Sequence, residues 1–175
     1  RGEYKRQGYG LDIIARFLES KKVEKYLIEI GGEVRVKGTK PDGKLWTVQL
    51  DNPNTDGSRS AYSYLQLTNI SMASSGNYRK FRIGPKGEKY VHTINPKTGY
   101  ARESNLLAAT VIAELDCADV DAYATAFNAM GYPLSLEKAN LNNIALMLIV
   151  QNENDLKFIY YNIVLLGFFY FHDQF

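Results

Sequence analysis

The stretch ADVDAYATAFNAM, residues 118–130, places oxygen-bearing side chains at a helical interval. With a helix running from about Val120 toward Met130, Asp121, Thr125 and Asn128 fall at i, i+4 and i+7 on one face, the first two roughly 5–6 Å apart at Cβ. A carboxylate beside a hydroxyl is a pair of hard donors, which suits magnesium or calcium better than zinc. The same residues also suit an ordinary helix start, with Asp119 or Asp121 as the cap and Thr125 bonding back to its own carbonyls. Ala122, Ala126 and Ala129 form a separate small stripe that permits close packing. His92, one of two histidines, leads HTINPKTG. A strand end before a Pro/Gly turn holds a side chain still yet accessible, as a general base requires, although a structural histidine fits there too. His172, in the tail, is unremarkable by the same standard.

Two small-residue segments, IGGE at 30–33 and SSGNY at 74–78, offer backbone amides of the kind that cradle phosphates. Neither carries a P-loop or a GxGxxG dinucleotide signature, and plain turns account for both. Cys117 is the one cysteine, which excludes an intramolecular disulfide and a CxxC metal framework; without a basic neighbour it reads as a buried thiol.

The elements that must position these residues follow from periodicity. Leu11, Ile14, Ala15 and Leu18 make an apolar helical stripe, with Asp12 expected in the first turn and Lys21 and Lys22 at the last. KYLIEI and EVRVKG read as strands separated by the Gly31-Gly32 turn, LWTVQL alternates as a third, and the three suggest an antiparallel meander. AYSYLQLTNISMASSG carries a further strand or two. YRKFRIGPKGEKYVHTI reads as a hairpin around residues 84–87, and LLAATVIAEL as a buried strand with helix still open. Gly131 and Pro133 stop the helix that holds Asp121. SLEKANLN predicts a short helix opened by Ser135, and IALMLIVQNENDLKFIYY a closing hairpin. Strands outnumber helices without repeated βαβ alternation, so the class is α+β.

At 175 residues, 45% hydrophobic and 23% charged, the chain has the composition of one globular domain spanning 1–175. A net charge of +2, with bases scattered among acids, argues against nucleic acid as a partner. The run at 158–171 falls short of the ~20 apolar residues of a transmembrane helix and suits a terminal strand.

Taken in order, QGYGLD, YLIEIGGEVRVKG, Trp46 with DNP, SSGNYR, YVHTINPKTG and ATVIA followed by ADVDAYATAFNAMG resemble the ApbE family of flavin transferases. The resemblance covers about residues 7 to 160. It implies a T-fold-related α+β architecture of antiparallel sheets with packed helices. It also implies Mg2+-dependent transfer of FMN from FAD to a threonine or serine hydroxyl of an acceptor protein, with release of AMP. On the family pattern Asp121 and Thr125 hold the metal and His92 helps deprotonate the acceptor. Gln7, with Gly8 and Tyr9, contacts FAD, and the main chain at Ile94 meets the dinucleotide. Gly31, Gly32, Glu33, Ser75 and Gly76 are added as ligand contacts from their loop chemistry. Family members are about twice this length, so an incomplete domain lacking the N-terminal portion is expected. The Tyr4 segment, expected to lend a backbone metal ligand, lacks the small apolar character of the pattern. A periplasmic or cell-envelope location follows from the family alone. FAD pyrophosphate hydrolysis to FMN and AMP, and an inactive flavin-binding or structural relative, are the rival expectations.

Overall fold

The computed structural model describes residues 6–54, 58, 60–76, 81–83, 89–91, 99, 105–152, 155–162 and 169–170. In chain order the elements begin with α1 (Arg6–Ser20), β1 (Tyr26–Ile30), β2 (Glu33–Lys37), β3 (Trp46–Asp51), β4 (Ala61–Leu67) and β5 (Ile70–Gly76). There follow β6 (Phe81–Ile83), β7 (Lys89–Val91), β8 (Leu106–Ala113), α2 (Cys117–Met130), α3 (Leu134–Leu141), β9 (Ala145–Asn152), β10 (Asp155–Tyr161) and β11 (Phe169–Tyr170). A six-stranded antiparallel sheet of order β1-β2-β5-β8-β9-β10 is the centre of the molecule; β11-β4-β3 form a second sheet and β6-β7 a two-stranded ribbon.

Side-chain alternation builds the layers. In β9, Ala145, Met147 and Ile149 face a core shared with Val48, Leu50, Leu65 and Leu67 of the second sheet. Leu146, Leu148 and Val150 point the other way, against Val120, Ala124 and Phe127 of α2 and Ala139 of α3. Covering on both faces explains why β8 and β9 read as continuous apolar runs rather than alternating ones. It also decides the ambiguity of LLAATVIA. The helix preference of leucine and alanine is worth at most ~0.7 kcal/mol per residue, whereas burying each valine, leucine or isoleucine stabilises by about 1.5–3 kcal/mol. The strand wins.

Several sequence expectations are corrected here. The three N-terminal strands do not form a meander. β2 pairs with β5, while β3 leaves to pair with β4 in the other sheet. Helix α1 extends back to Arg6, so Asp12 lies at its middle rather than in its first turn, and Lys21 and Lys22 fall just beyond its end. Its buried face is Gly8, Leu11, Asp12 and Ala15, whereas Ile14 is exposed. Ser135 sits inside α3, buried, and donates to the Phe127 and Gly131 carbonyls at 2.6 and 3.0 Å. The alanine stripe of α2 is not its packing face: Ala122 is exposed, and Cys117, Val120, Asp121, Ala124, Phe127 and Asn128 are buried instead.

Helices α1 and α2 meet at Gly8. A Cβ there would lie 2.5 Å from the Cys117 carbonyl oxygen and 2.9 Å from the Ala118 Cα, both backbone atoms that cannot rotate away. Alanine for glycine inside a helix ordinarily stabilises by roughly 0.5–1 kcal/mol. Gly8→Ala is expected to reverse that sign and destabilise by about 1–3 kcal/mol through overpacking, which urea unfolding reads directly. A stabilised variant would contradict the close crossing.

Candidate functional site

Strand β2 presents two unlike faces. Val34 and Val36 enter the core between the sheets, while Glu33, Arg35 and Lys37 form a charged row on the opposite face. Such a row must meet opposite charge. Lys37 meets Glu19 of α1 at 3.1 Å, and Glu19 also accepts from the Tyr26 hydroxyl at 2.7 Å. Arg35 reaches Asp12 of α1 and, at 2.7 Å, Asp116 at the start of α2. Burial works against the Arg35 charge, but the bonds to Asp116 and Asp12 outweigh it and hold the guanidinium more firmly protonated. The Arg35 bond likewise holds the Asp116 carboxyl below its ordinary value. A cleft beside this row is lined by Glu19, Tyr26, Arg35, Lys37 and Asp116, groups already paired with one another.

Asp12, fully buried, has a second task. Its carboxylate accepts from the Cys117 and Ala118 N–H groups at 2.8 and 2.9 Å, so α1 caps α2 in trans. Asp116 occupies the N-cap position but makes no side-chain cap bond, its carboxylate being turned to Arg35 and to Arg16 at 2.6 Å. Asp119, expected from the sequence to cap, is exposed in the first turn.

That cap fixes where Asp121 stands. Asp121 is 5% exposed, and the Gly8 N–H of α1 donates to its Oδ2 at 3.4 Å. One turn on, Thr125 is half-buried, and among the described residues no hydrogen bond engages its hydroxyl, so the back-bonded alternative is not adopted. Asn128, another turn on and buried, donates to the Ser75 carbonyl at 2.7 Å. The face of α2 anticipated from spacing therefore runs from Gly8 toward the end of β5.

The glycine turn joins the same place. Ile30 pairs with Glu33, leaving Gly31 and Gly32 as a two-residue hairpin loop with φ of 65° and 107°, a backbone that favours glycine. A Cβ on Gly31 would lie 2.1 Å from the Gln7 Nε2, so the Gln7 carboxamide rests on the turn. The Gly32 N–H donates to Glu29 at 2.8 Å. Glu33 follows, 6% exposed, with its Oε2 unpartnered among the described residues. Burial pushes the Glu33 carboxyl up from its ordinary 4.5 to about 7, against the pull of its own backbone N–H, and the charges of Asp121 and Glu29 add to the rise.

Gln7, Gly8, Gly31, Glu33 and Asp121 are thus brought together from three segments, with Thr125 beside them on α2. Tyr9 is not: it stands in solvent on α1, 57% exposed. Ser75 and Gly76 belong to β5, in register with Ala109 and Ala108, rather than to an open loop, and the Ser75 carbonyl is already engaged by Asn128. His92, Ile94, His172 and Tyr4 lie outside the described residues. Cys117 is the expected buried thiol, its Sγ 3.7 Å from the Val34 carbonyl; burial pushes it up to about 12, and the charges of Asp12, Glu33 and Asp121 add to the rise. The sequence reading missed Asp12, Arg35 and Asp116 as a unit. One signal was available, since a strand written EVRVK puts three charges on a face that a neighbouring helix must cover.

Among the described residues no three His, Cys, Asp or Glu side chains gather as a metal cluster. Asp121 and Thr125 leave a pair of hard donors on one face of α2, which fits a magnesium-like ion completed by phosphate, backbone or water better than an all-protein cage.

The ApbE family model matches residues 6–148. The chain belongs to the ApbE family. Its relatives in that family include the FAD:protein FMN transferase of Haemophilus influenzae, 37% identical over 148 residues, covering 85% of this chain and 42% of the relative. That of Vibrio cholerae serotype O1 is 32% identical over 151 residues, covering 86% and 44%. Among solved structures, the flavin transferase ApbE from Vibrio cholerae superposes with a TM-score of 0.74 at 30% identity, covering 88% of this chain and 48% of that one. The Pseudomonas stutzeri flavinyl transferase ApbE in its apo form gives 0.75 at 29%, covering 88% and 46%. The α+β class with antiparallel sheets is thus the ApbE fold, and the chain spans less than half the length of these relatives. Among the described residues no helix is long and apolar enough to cross a membrane, a statement that leaves β-barrels aside.

Proposed function

We propose that this ApbE-family chain acts as an FAD:protein FMN transferase, with its α1, β1–β2 turn and α2 forming the cation and pyrophosphate side of the site. What supports this is the meeting of Gln7–Gly8, Gly31–Glu33 and the Asp121/Thr125 face at one point, in a fold whose relatives bear that name. In the proposed reaction the hydroxyl oxygen of an acceptor threonine or serine attacks the phosphorus on the FMN side of FAD. The new P–O bond attaches FMN, the bridging P–O bond breaks, and AMP leaves with its electron pair. The hydroxyl proton passes to a base, for which His92 is the family's residue. Asp121 and Thr125 would hold Mg2+, which neutralises charge on the phosphoryl oxygens when bound. Gln7 would orient the dinucleotide from the glycine turn, and Ile94 would meet it through its main chain.

Incubation with FAD, Mg2+ and a threonine-bearing acceptor, followed by in-gel flavin fluorescence and AMP analysis, tests this. Protein-bound flavin and AMP in equal amounts are expected, with transfer falling at least ~100-fold in Asp121→Ala, the scale on which loss of one transition-state charge stabiliser is felt. Free FMN with no bound flavin would replace transfer with hydrolysis, and no turnover of FAD would reject both.

A further inference from the structure

Helix α1 buries one flank and leaves the other in solvent. Tyr9, Ile13 and Phe17, spaced four apart, form one ridge along its outer side and are 57%, 46% and 59% exposed. Ile14 widens the ridge by one position. From Tyr9 to Phe17 the helical rise makes it roughly 12 Å long. Single exposed apolar residues are ordinary, but four in one patch, two of them aromatic, mark a contact surface. The ridge is separate from the flank of α1 that meets α2 and Asp121 through Gly8.

The charges beside the ridge are mostly of one sign. Its next position is Lys21, whose Nζ stands 5.7 Å from the centre of the Phe17 ring. Lys22 and Lys25 follow in the turn to β1, both exposed, against a single exposed acid there, Glu24. Arg16 adds a partly exposed guanidinium, shared with Asp116. The acids of α1 itself are withdrawn. Asp12 is buried against Arg35 and the α2 amides, and Glu19 is engaged by Lys37 and Tyr26.

The shape and the charge together select the occupant. A second copy would pair the ridge with itself, bringing the lysines of each chain onto a helix that offers no unengaged acid in return. A folded protein would need a groove cut to a convex ridge. A bilayer needs neither, because acyl chains close around apolar side chains while anionic headgroups meet the lysines. Tyrosine suits that boundary, with an apolar ring and a polar tip.

We propose that the outer face of α1 docks on the surface of an anionic phospholipid bilayer, with Ile13, Ile14 and Phe17 entering the acyl boundary and Lys21, Lys22 and Lys25 meeting lipid phosphates. The helix lies along the surface, since its 15 residues are too few to span the ~20-residue core. The proposal is independent of the flavin-transfer reading and stands or falls by itself.

The test is co-sedimentation of the 175-residue chain with vesicles of phosphatidylcholine containing phosphatidylglycerol, and with vesicles of phosphatidylcholine alone. Binding to the anionic vesicles is expected, weakening several-fold or more as salt is raised, with little binding to the neutral ones. Lys21→Gln with Lys22→Gln is expected to weaken it by about 10- to 30-fold, the scale of two lysines near a charged surface. Ile13→Ser with Phe17→Ser is expected to weaken it at least ~10-fold through lost apolar burial, with the lysines intact. Circular dichroism establishes that each variant is folded; if the double serine variant is not, Phe17→Ser alone carries that arm.

Failure to bind anionic vesicles would overturn the proposal, as would equal binding to neutral ones or undiminished binding by the serine variant. Sedimentation velocity without lipid covers the second copy: a dimer that the serine substitutions dissociate would assign the ridge to self-association and overturn lipid docking, whereas a monomer agrees with it.

Discussion

Asp12→Ala is expected to lose about 3–5 kcal/mol of stability, the scale for stranding one partner of a buried ion pair. Against a typical total of roughly 5–15 kcal/mol, that is between about a fifth and the whole of the stability of such a domain. The size follows from what the carboxylate holds: two amides at the head of α2 and the Arg35 guanidinium, all from a side chain with 0% exposure. Asp12→Asn keeps the shape and one acceptor, and Asp116 still answers Arg35, so a smaller loss of about 1.5–3 kcal/mol is expected. Arg16→Ala provides the contrast. Its pair with Asp116 is 53% and 41% exposed and is worth under about 1 kcal/mol. Urea unfolding of the three variants checks the order; an Asp12→Ala protein as stable as Arg16→Ala would refute capping in trans.

The second large effect concerns pH. An ordinary carboxylate paired in the native state adds stability as pH rises, but Glu33 has the opposite sign. Its carboxyl binds its proton more tightly in the folded chain, at about 7, than at the ordinary 4.5. Between those values the folded state carries more protons than the unfolded one, so stability falls as pH rises through the window. At ~1.4 kcal/mol for each pH unit of that window the loss approaches about 3 kcal/mol, complete above pH 7 and absent below 4.5. Unfolding in EDTA from about pH 5 to pH 8, wild type against Glu33→Gln, isolates it. The difference between the two curves is expected to change with this slope, and parallel curves would contradict it.

Much of the fold was legible in local pattern. Alternation in LWTVQL, the glycine pair after YLIEI and the stop at Gly131 all reappear as β3, the β1–β2 turn and the end of α2. The spacing of Asp121, Thr125 and Asn128 put them on one face of that helix, because helical periodicity is a property of the chain segment itself. The order of motifs named the ApbE family, and the family match and superpositions agree. Other features had no local signature. Periodicity gives α1 an apolar stripe, yet Ile14, which lies on it by spacing, is exposed. Which flank of the stripe is buried depends on the close crossing at Gly8, and Gly8 carries no hydrophobic signal.

By itself, the sequence determined the elements, the shared face of Asp121 and Thr125, and the family. Tertiary structure decided the electrostatics. Asp12 caps a helix that begins 105 residues later, Gly8 meets Asp121 across 113 residues, and Glu33 is buried beside the glycine turn with its Oε2 unpartnered among the described residues. Short-range periodicity cannot encode such pairings. They arise when the apolar faces of α1, α2 and β2 are packed together, and the polar groups carried along must then find partners inside a low-dielectric interior.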